Sequence, residues 1–296
     1  MLSFEDALAQ LLAAAKPVSE VRWLPTQAAA GRVLAQDLTS TVNVPPLDNS
    51  AMDGYAVRAA DIPVPGTVLP VSQRIPAGSV GTTLEPGTAA RIFTGAPVPP
   101  GADAVIMQER CEHAGEGRVS FQHVPKAGEN IRRAGEDVAK DARILAAGTR
   151  LGPAQLAFAA SVGLAEAPEY RRLRVATFFT GDELVMPGQP LPAGAIYNSN
   201  RYAIVALLER LGCEVKDLGQ VPDSLEATRA ALREAAAADL VVTCGGVSVG
   251  EEDHVKPAVE AEGSLNLWSI AIKPGKPLAF GEVRRSEGES AGQGSA

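Results

Sequence analysis

At 296 residues and 46% hydrophobic composition, the chain can bury a core and is long enough for two or three domains. A net charge of −8 and a pI near 5.1 have the wrong sign for affinity built on phosphate-backbone contacts, and no basic cluster compensates, so nucleic acid is excluded as a partner. Cys111, Cys213 and Cys244 form no C-x-x-C pair, and His113, His123 and His254 do not fall near them at metal-ligand spacing, which suits a reducing compartment and offers no zinc site. The N-terminus lacks a basic region and no apolar run reaches membrane-spanning length, so the expected location is the cytoplasm, away from any membrane.

In chain order, Phe4, Ala7, Leu8, Leu11 and Leu12 recur at helical spacing behind Ser3 as N-cap, and Lys16-Pro17 ends that helix. From about Val42 to Gly128 short apolar stretches such as Gly54 to Val57 and Ala104 to Met107 are divided by Gly and Pro, the texture of a β-rich domain. Pro153 opens a helix that Gly163 stops, in a segment expected to link two domains. Beyond Arg174 the pattern alternates: strand Val175–Phe179, helix Asn200–Leu211, strand Glu214–Leu218, helix Ser224–Ala237, strand Leu240–Thr243 and helix Asp253–Glu262. Strands near Leu265–Ile272 and Leu278–Phe280 follow. Such alternation predicts a parallel sheet wrapped by helices, with chemistry in the loops after the strands.

Several of those loops carry candidate chemistry. Gly245-Gly-Val-Ser-Val-Gly250 passes from strand to helix, where glycine lets backbone N–H groups converge on an anion; a purely structural turn has the same composition. Gly246-x-Ser248-x-Gly250 also fits a hydrolase nucleophile elbow, but the sole later histidine, His254, is too close to swing back as a triad member. Asp182 and Glu183 end a strand, where paired carboxylates can hold a divalent cation against phosphates, or simply solvate a turn. Asp223 reads best as a helix cap with Glu226 three residues on, and Asp253 has the same ambiguity. Lys273-Pro-Gly-Lys276-Pro277 puts two cations on a stiff turn suited to an oxyanion, although lysines are usually solvated surface.

Six segments in one order, Asp48-Asn-Ser-Ala-Met-Asp-Gly-Tyr55, Thr94-Gly-Ala-Pro97, Gly128-Glu-Asn-Ile-Arg132, Thr180-Gly-Asp-Glu183, Gly245–Gly250 and Lys273–Pro277, resemble the molybdopterin molybdenumtransferase family of MoeA and the gephyrin E-domain. The resemblance runs from the N-terminal helix to about Gly281. It implies an α/β multidomain fold: a three-layer parallel-sheet, molybdopterin-binding domain (1–20 and 173–283), a β-rich domain (41–141), and a small linking domain (21–40 and 142–172). It further implies a homodimer in which the β-rich domain of one subunit faces the sheet domain of the other, with molybdopterin adenylyltransferase and molybdoenzyme maturation proteins as further partners. The implied reaction takes adenylylated molybdopterin and molybdate, requires Mg2+, and releases AMP. By position, Gly245, Gly246, Ser248 and Gly250 cradle the pterin phosphate or nucleotide, and Glu183, Asp223 and Asp253 act around the metal and phosphates. Lys273, Lys276 and Pro277 hold molybdate, while Asp48, Thr94, Arg132 and Asp137 reach across the dimer.

Two departures stand out. Family members continue past the equivalent of Gly281 with a strand, a Gly-Asn-Pro-Val-Ser turn, a helix and a C-terminal β-domain, whereas residues 284–296 here are small and polar and read as disordered. This suggests a truncated copy, with an inactive remnant that dimerises and binds the nucleotide-pterin as the alternative function. The other departure is Ser269, where many members carry lysine.

Overall fold

The computed structural model describes residues 2–246, 253–272 and 277–285. The chain divides into two compact units, Met1–Val21 with Tyr170–Ala296, and Arg22–Glu169.

Helix α1 (Phe4–Ala14) is capped as its sequence predicts: Ser3 Oγ accepts the Asp6 N–H at 3.0 Å. Its apolar stripe is not covered, however. Ala7 is buried, while Phe4, Leu8 and Leu12 are 53%, 43% and 66% exposed.

The second unit is built on a six-stranded sheet of β1 (Gly54–Val57), β2 (Thr67–Ile75), β3 (Ala89–Ile92), β4 (Ala104–Met107), β5 (Cys111–His113) and β6 (Arg118–Phe121), in the order β4-β1-β3-β2-β6-β5. Both faces are packed. Val57, Ala89, Ile106 and Phe121 belong to one core, and their chain neighbours Ala56, Ala90 and Val105 to another with Ile75 and Ile92. Two-sided burial explains why these strands are uninterrupted apolar runs rather than alternating ones. A third core gathers Ala29, Leu34, Leu38, Leu151, Ala159 and Ala167 around α2 (Pro153–Ser161). The residues expected to link domains thus keep a small core of their own, inside the same compact unit as the β-rich segment.

In the first unit, β7 (Arg174–Thr180) is the centre of a parallel sheet. After helix α3 (Ser199–Arg210) come β8 (Glu214–Val221), α4 (Leu225–Ala235) and β9 (Leu240–Cys244), and the strand order is β8-β7-β9. Phe178 of β7 packs with Val221, with Leu232 of α4, and with Val255 and Val259 of α5 (Val255–Glu262). In register Thr180 pairs with Val221 and Phe179 with Cys244, so the three strands end side by side.

Two features differ from what the sequence predicts. Strands β10 (Gly263–Ser269) and β11 (Pro277–Val283) do not extend the parallel sheet; they pair antiparallel with each other. The segment between them is too short for the dozen or so residues that a parallel crossover needs. Arg284 and Arg285 are also held: the Arg284 N–H donates to Glu262 O at 2.9 Å, and Arg285 lies 3.7 Å from Asp239. The remainder of the segment read as disordered lies outside the described residues.

Candidate functional site

The carboxyl ends of β7, β8 and β9 bring three loops together. After β7, Gly181 leads into Asp182 and Glu183, and the Glu183 carboxylate curls back so that a Cβ at Gly181 would meet its Oε2 at 2.6 Å. After β8, Asp223 faces Asp182 reciprocally: the Asp182 N–H donates to Asp223 Oδ2 at 3.0 Å and the Asp223 N–H to Asp182 Oδ1 at 3.2 Å. After β9, Gly245 and Gly246 run against Thr180. A Cβ on Gly245 would lie 2.1 Å from Thr180 O, and its φ of +110° is a conformation that side chains resist.

Asp223 is not the cap expected of it. Ser224 is the N-cap of α4, accepting the Ala227 N–H at 3.2 Å, which leaves the Asp223 carboxylate turned to the Asp182 loop. Likewise the residue preceding α5 is His254, so Asp253 stands one position outside the helix. Ser248, Gly250, Lys273 and Lys276 lie outside the described residues, as does the side chain of Pro277.

The residues expected from the β-rich segment converge within the second unit. The loop 48–53 is the hub. Val98 N–H donates to Asp48 O and Ser50 N–H to Ala96 O, both at 2.9 Å, tying it to the Thr94–Pro97 loop. Arg132 pairs in register with Asn49, tying it to the 128–137 loop. Asp48 accepts the Ala134 N–H at 2.8 Å and the Arg133 guanidinium at 2.5 Å, and these two donors hold its carboxyl below the usual range. Arg132 reaches Asp137 at 2.5 Å. Thr94 is fixed by Asp53 Oδ1, which accepts its N–H at 2.8 Å and its hydroxyl at 2.7 Å, and those bonds lower the Asp53 pKa.

Sequence reasoning missed Asp53 as the anchor of Thr94 and Thr180 as a component of the sheet edge. The Thr180 hydroxyl is buried and has no hydrogen-bond partner among the described residues. Nothing local marks either residue, because each acts through a partner brought in by the fold. No group of three His, Cys, Asp or Glu among the described residues is placed to hold a metal ion. What the edge offers instead is a pair of acids, a buried hydroxyl and glycine backbone, a surface suited to phosphate-bearing ligands that bring their own cation.

The chain resembles known proteins over nearly its whole length. The model of the MoeA N-terminal region (domain I and II) matches residues 2–163, and that of a probable molybdopterin binding domain matches residues 176–293. A molybdopterin molybdenumtransferase of Haemophilus influenzae is 44% identical over 287 residues, covering 97% of this chain and 71% of that protein. Molybdopterin molybdenumtransferase 2 of Mycobacterium tuberculosis is 39% identical over 291 residues, covering 94% of this chain and 71% of that one. The crystal structure of the molybdopterin biosynthesis MoeA protein of Pyrococcus horikoshii superposes with a TM-score of 0.84 at 32% identity, covering 96% of this chain and 72% of the other. With both family models and these relatives spanning the two units, the chain belongs to the MoeA family of molybdopterin molybdenumtransferases, enzymes of molybdenum cofactor biosynthesis.

Proposed function

We propose that this chain binds adenylylated molybdopterin and molybdate, cleaves the adenylyl phosphoanhydride, and leaves molybdenum on the dithiolene as AMP departs. The observation that carries this reading is the meeting of Asp182, Glu183, Asp223, Thr180 and the Gly245-Gly246 backbone at one edge of the parallel sheet. Cleaving a phosphoanhydride chiefly requires positioning and neutralisation of charge, and no protein nucleophile. Glycine N–H groups suit the phosphates. Magnesium characteristically keeps several waters and takes one or two carboxylates plus substrate phosphates, so the acids at this edge fit it as part of a shared site. Glu183 and Asp223 are the residues to hold it there; the ion supplies charge neutralisation on the phosphates. Lys273, Lys276 and Pro277 are assigned to molybdate, and Ser248 and Gly250 to the phosphate cradle, by resemblance. Asp48, Thr94, Arg132 and Asp137 are assigned to the neighbouring subunit's site within a homodimer.

The test is AMP release from adenylylated molybdopterin by the purified chain, with molybdate and magnesium each present and omitted. Release that depends on molybdate supports the transfer reaction, and Glu183→Gln should slow it by roughly a hundredfold, the scale of losing one electrostatic contributor. Tight binding of the adenylylated pterin with no AMP formed under any condition would sink the reading and leave a binding protein.

A further inference from the structure

The six-stranded sheet opens at one place. Strand β2 changes partner halfway along: Thr67–Pro70 pair with β6, Val71–Ile75 pair with β3, and the register shifts between Val71 and Gln73. At this break lies a cavity of about 680 Å³, lined among others by Tyr55, Val71, Arg74, Arg91, Arg118 and Val119. Its size falls within the roughly 300–1,000 Å³ of small-molecule sites. None of Asp48, Thr94, Arg132 or Asp137 lines it.

Its charge is unusual for this molecule. Arg74 and Arg91 are register partners on adjacent strands, so two cations stand side by side, an arrangement that is destabilising unless something of opposite charge faces it. Both guanidinium groups lie against the Phe93 ring, at 4.5 and 4.6 Å from its centroid, and Arg91 also stands 5.2 Å from the Tyr55 centroid. Arg91 is fixed further by donating to Gly54 O at 2.8 Å and Gln108 Oε1 at 2.7 Å. Aromatic faces and carbonyls orient these cations without neutralising them. Asp53 offsets part of the charge of Arg91, but it does not line the cavity and its Oδ1 makes its hydrogen bonds to Thr94. With Arg118 on the wall and Glu112 as the lining carboxylate, the cavity carries an excess of positive charge in a chain whose net charge is −8.

We propose that this cavity binds a small organic anion, whose phosphate or carboxylate meets Arg74, Arg91 and Arg118 and whose flat apolar part rests on Tyr55, Val71 and Val119. Guanidinium forks match both oxyanions bidentately, and orientation in advance lowers the entropy lost on binding. A bare tetrahedral oxyanion would leave most of the volume empty, so the charged group needs an organic body.

The experiment is calorimetric titration of the full chain with AMP for the phosphate arm, citrate for the carboxylate arm, and adenosine and inorganic phosphate as the two halves of AMP. Three proteins are compared: the natural chain, Arg74→Gln/Arg118→Gln, and Glu183→Gln/Asp223→Asn, which disables the sheet edge of the other unit. Glutamine keeps much of the stem and polarity, and circular dichroism checks that each variant is folded. The expected result is that AMP or citrate still binds the Glu183→Gln/Asp223→Asn protein, which isolates the cavity from any AMP held between the sheet loops, and binds Arg74→Gln/Arg118→Gln roughly tenfold more weakly or worse than the natural chain. Adenosine and inorganic phosphate should each bind more weakly than AMP if AMP is the ligand. The proposal is overturned if neither anion binds, if Arg74→Gln/Arg118→Gln binds as the natural chain does, or if only Glu183→Gln/Asp223→Asn loses binding. Heat of binding is read without turnover, so a chain that releases no AMP from the adenylylated pterin can still show the anion site, and the two failures are distinguishable.

Discussion

Gly245 and Asp239 flank β9 at the carboxyl and amino ends of the parallel sheet, and each yields a sharp expectation. Gly245→Ala would place a Cβ 2.1 Å from Thr180 O at a positive φ, so the loop has to move; we expect a loss of about 2 kcal/mol or more in urea unfolding. At the opposite end of that strand Asp239 accepts hydrogen bonds from both terminal nitrogens of Arg171, at 2.5 and 2.8 Å, and from the Arg174 N–H at 2.9 Å. Burial alone would raise its pKa, but these hydrogen bonds outweigh it and hold the carboxyl well below the ordinary range. A depressed native pKa gives stability that is fully present above the unfolded value of about 3.9 and is lost as the pH falls through the native one. Asp239→Asn should therefore cost about 3 kcal/mol at neutral pH and flatten the decline of the urea midpoint below about pH 4. An acid limb equally steep in the variant would show that other carboxylates govern it.

At the scale of elements, the loop that ends in α4 separates two roles carried by adjacent residues. Ser224 caps the helix and Asp223 faces Asp182, so Ser224→Ala should lower stability by about 1 kcal/mol while sparing AMP release. Asp223→Ala should do the reverse, and a helix-stability loss as large as that of Ser224→Ala would restore the capping role to Asp223. Much of this layout was legible beforehand: the spacing of apolar runs predicted a helix over residues 3–15 and a strand across Val175–Phe179, and helix Phe4–Ala14 and strand Arg174–Thr180 are there. The β10–β11 hairpin was not, because a short apolar strand has the same pattern whether it pairs in parallel or in antiparallel. Which residue caps α4 was equally hidden, since Asp223 and Ser224 are both good cap formers and only the entry direction of the chain selects one.

On the scale of the whole molecule, α1 leaves Phe4, Leu8 and Leu12 exposed, and α3 leaves Tyr202, Leu207 and Leu211 more than half exposed at 54%, 56% and 55%. Exposed apolar side chains gathered on two helices suit association, in keeping with the proposed homodimer. Leu8→Glu/Leu12→Glu should lower the mass seen by light scattering from that of a dimer to that of a monomer; a natural chain already monomeric would remove the proposal. If the site is shared between subunits, Asp137→Asn and Glu183→Gln should each slow AMP release strongly, Glu183→Gln by roughly the hundredfold given above, whereas mixed dimers of the two should regain part of it, because one composite site per dimer is then intact. Mixed samples as inactive as either parent would place all the acting residues in one subunit.

The sequence by itself determined the family, the alternation of strands and helices, the β-rich texture from about Val42 to Gly128, and which loops carry glycine and acid, because these depend on local spacing and residue type. Only the tertiary structure decided that Asp182 and Asp223 hold each other, that Asp53 anchors Thr94, and that Arg74 and Arg91 stand side by side at a cavity. Each of those is a contact between strands or loops distant in the chain, set by sheet order and register. A sequence of side chains fixes local periodicity directly, but register is settled only when whole faces are buried together.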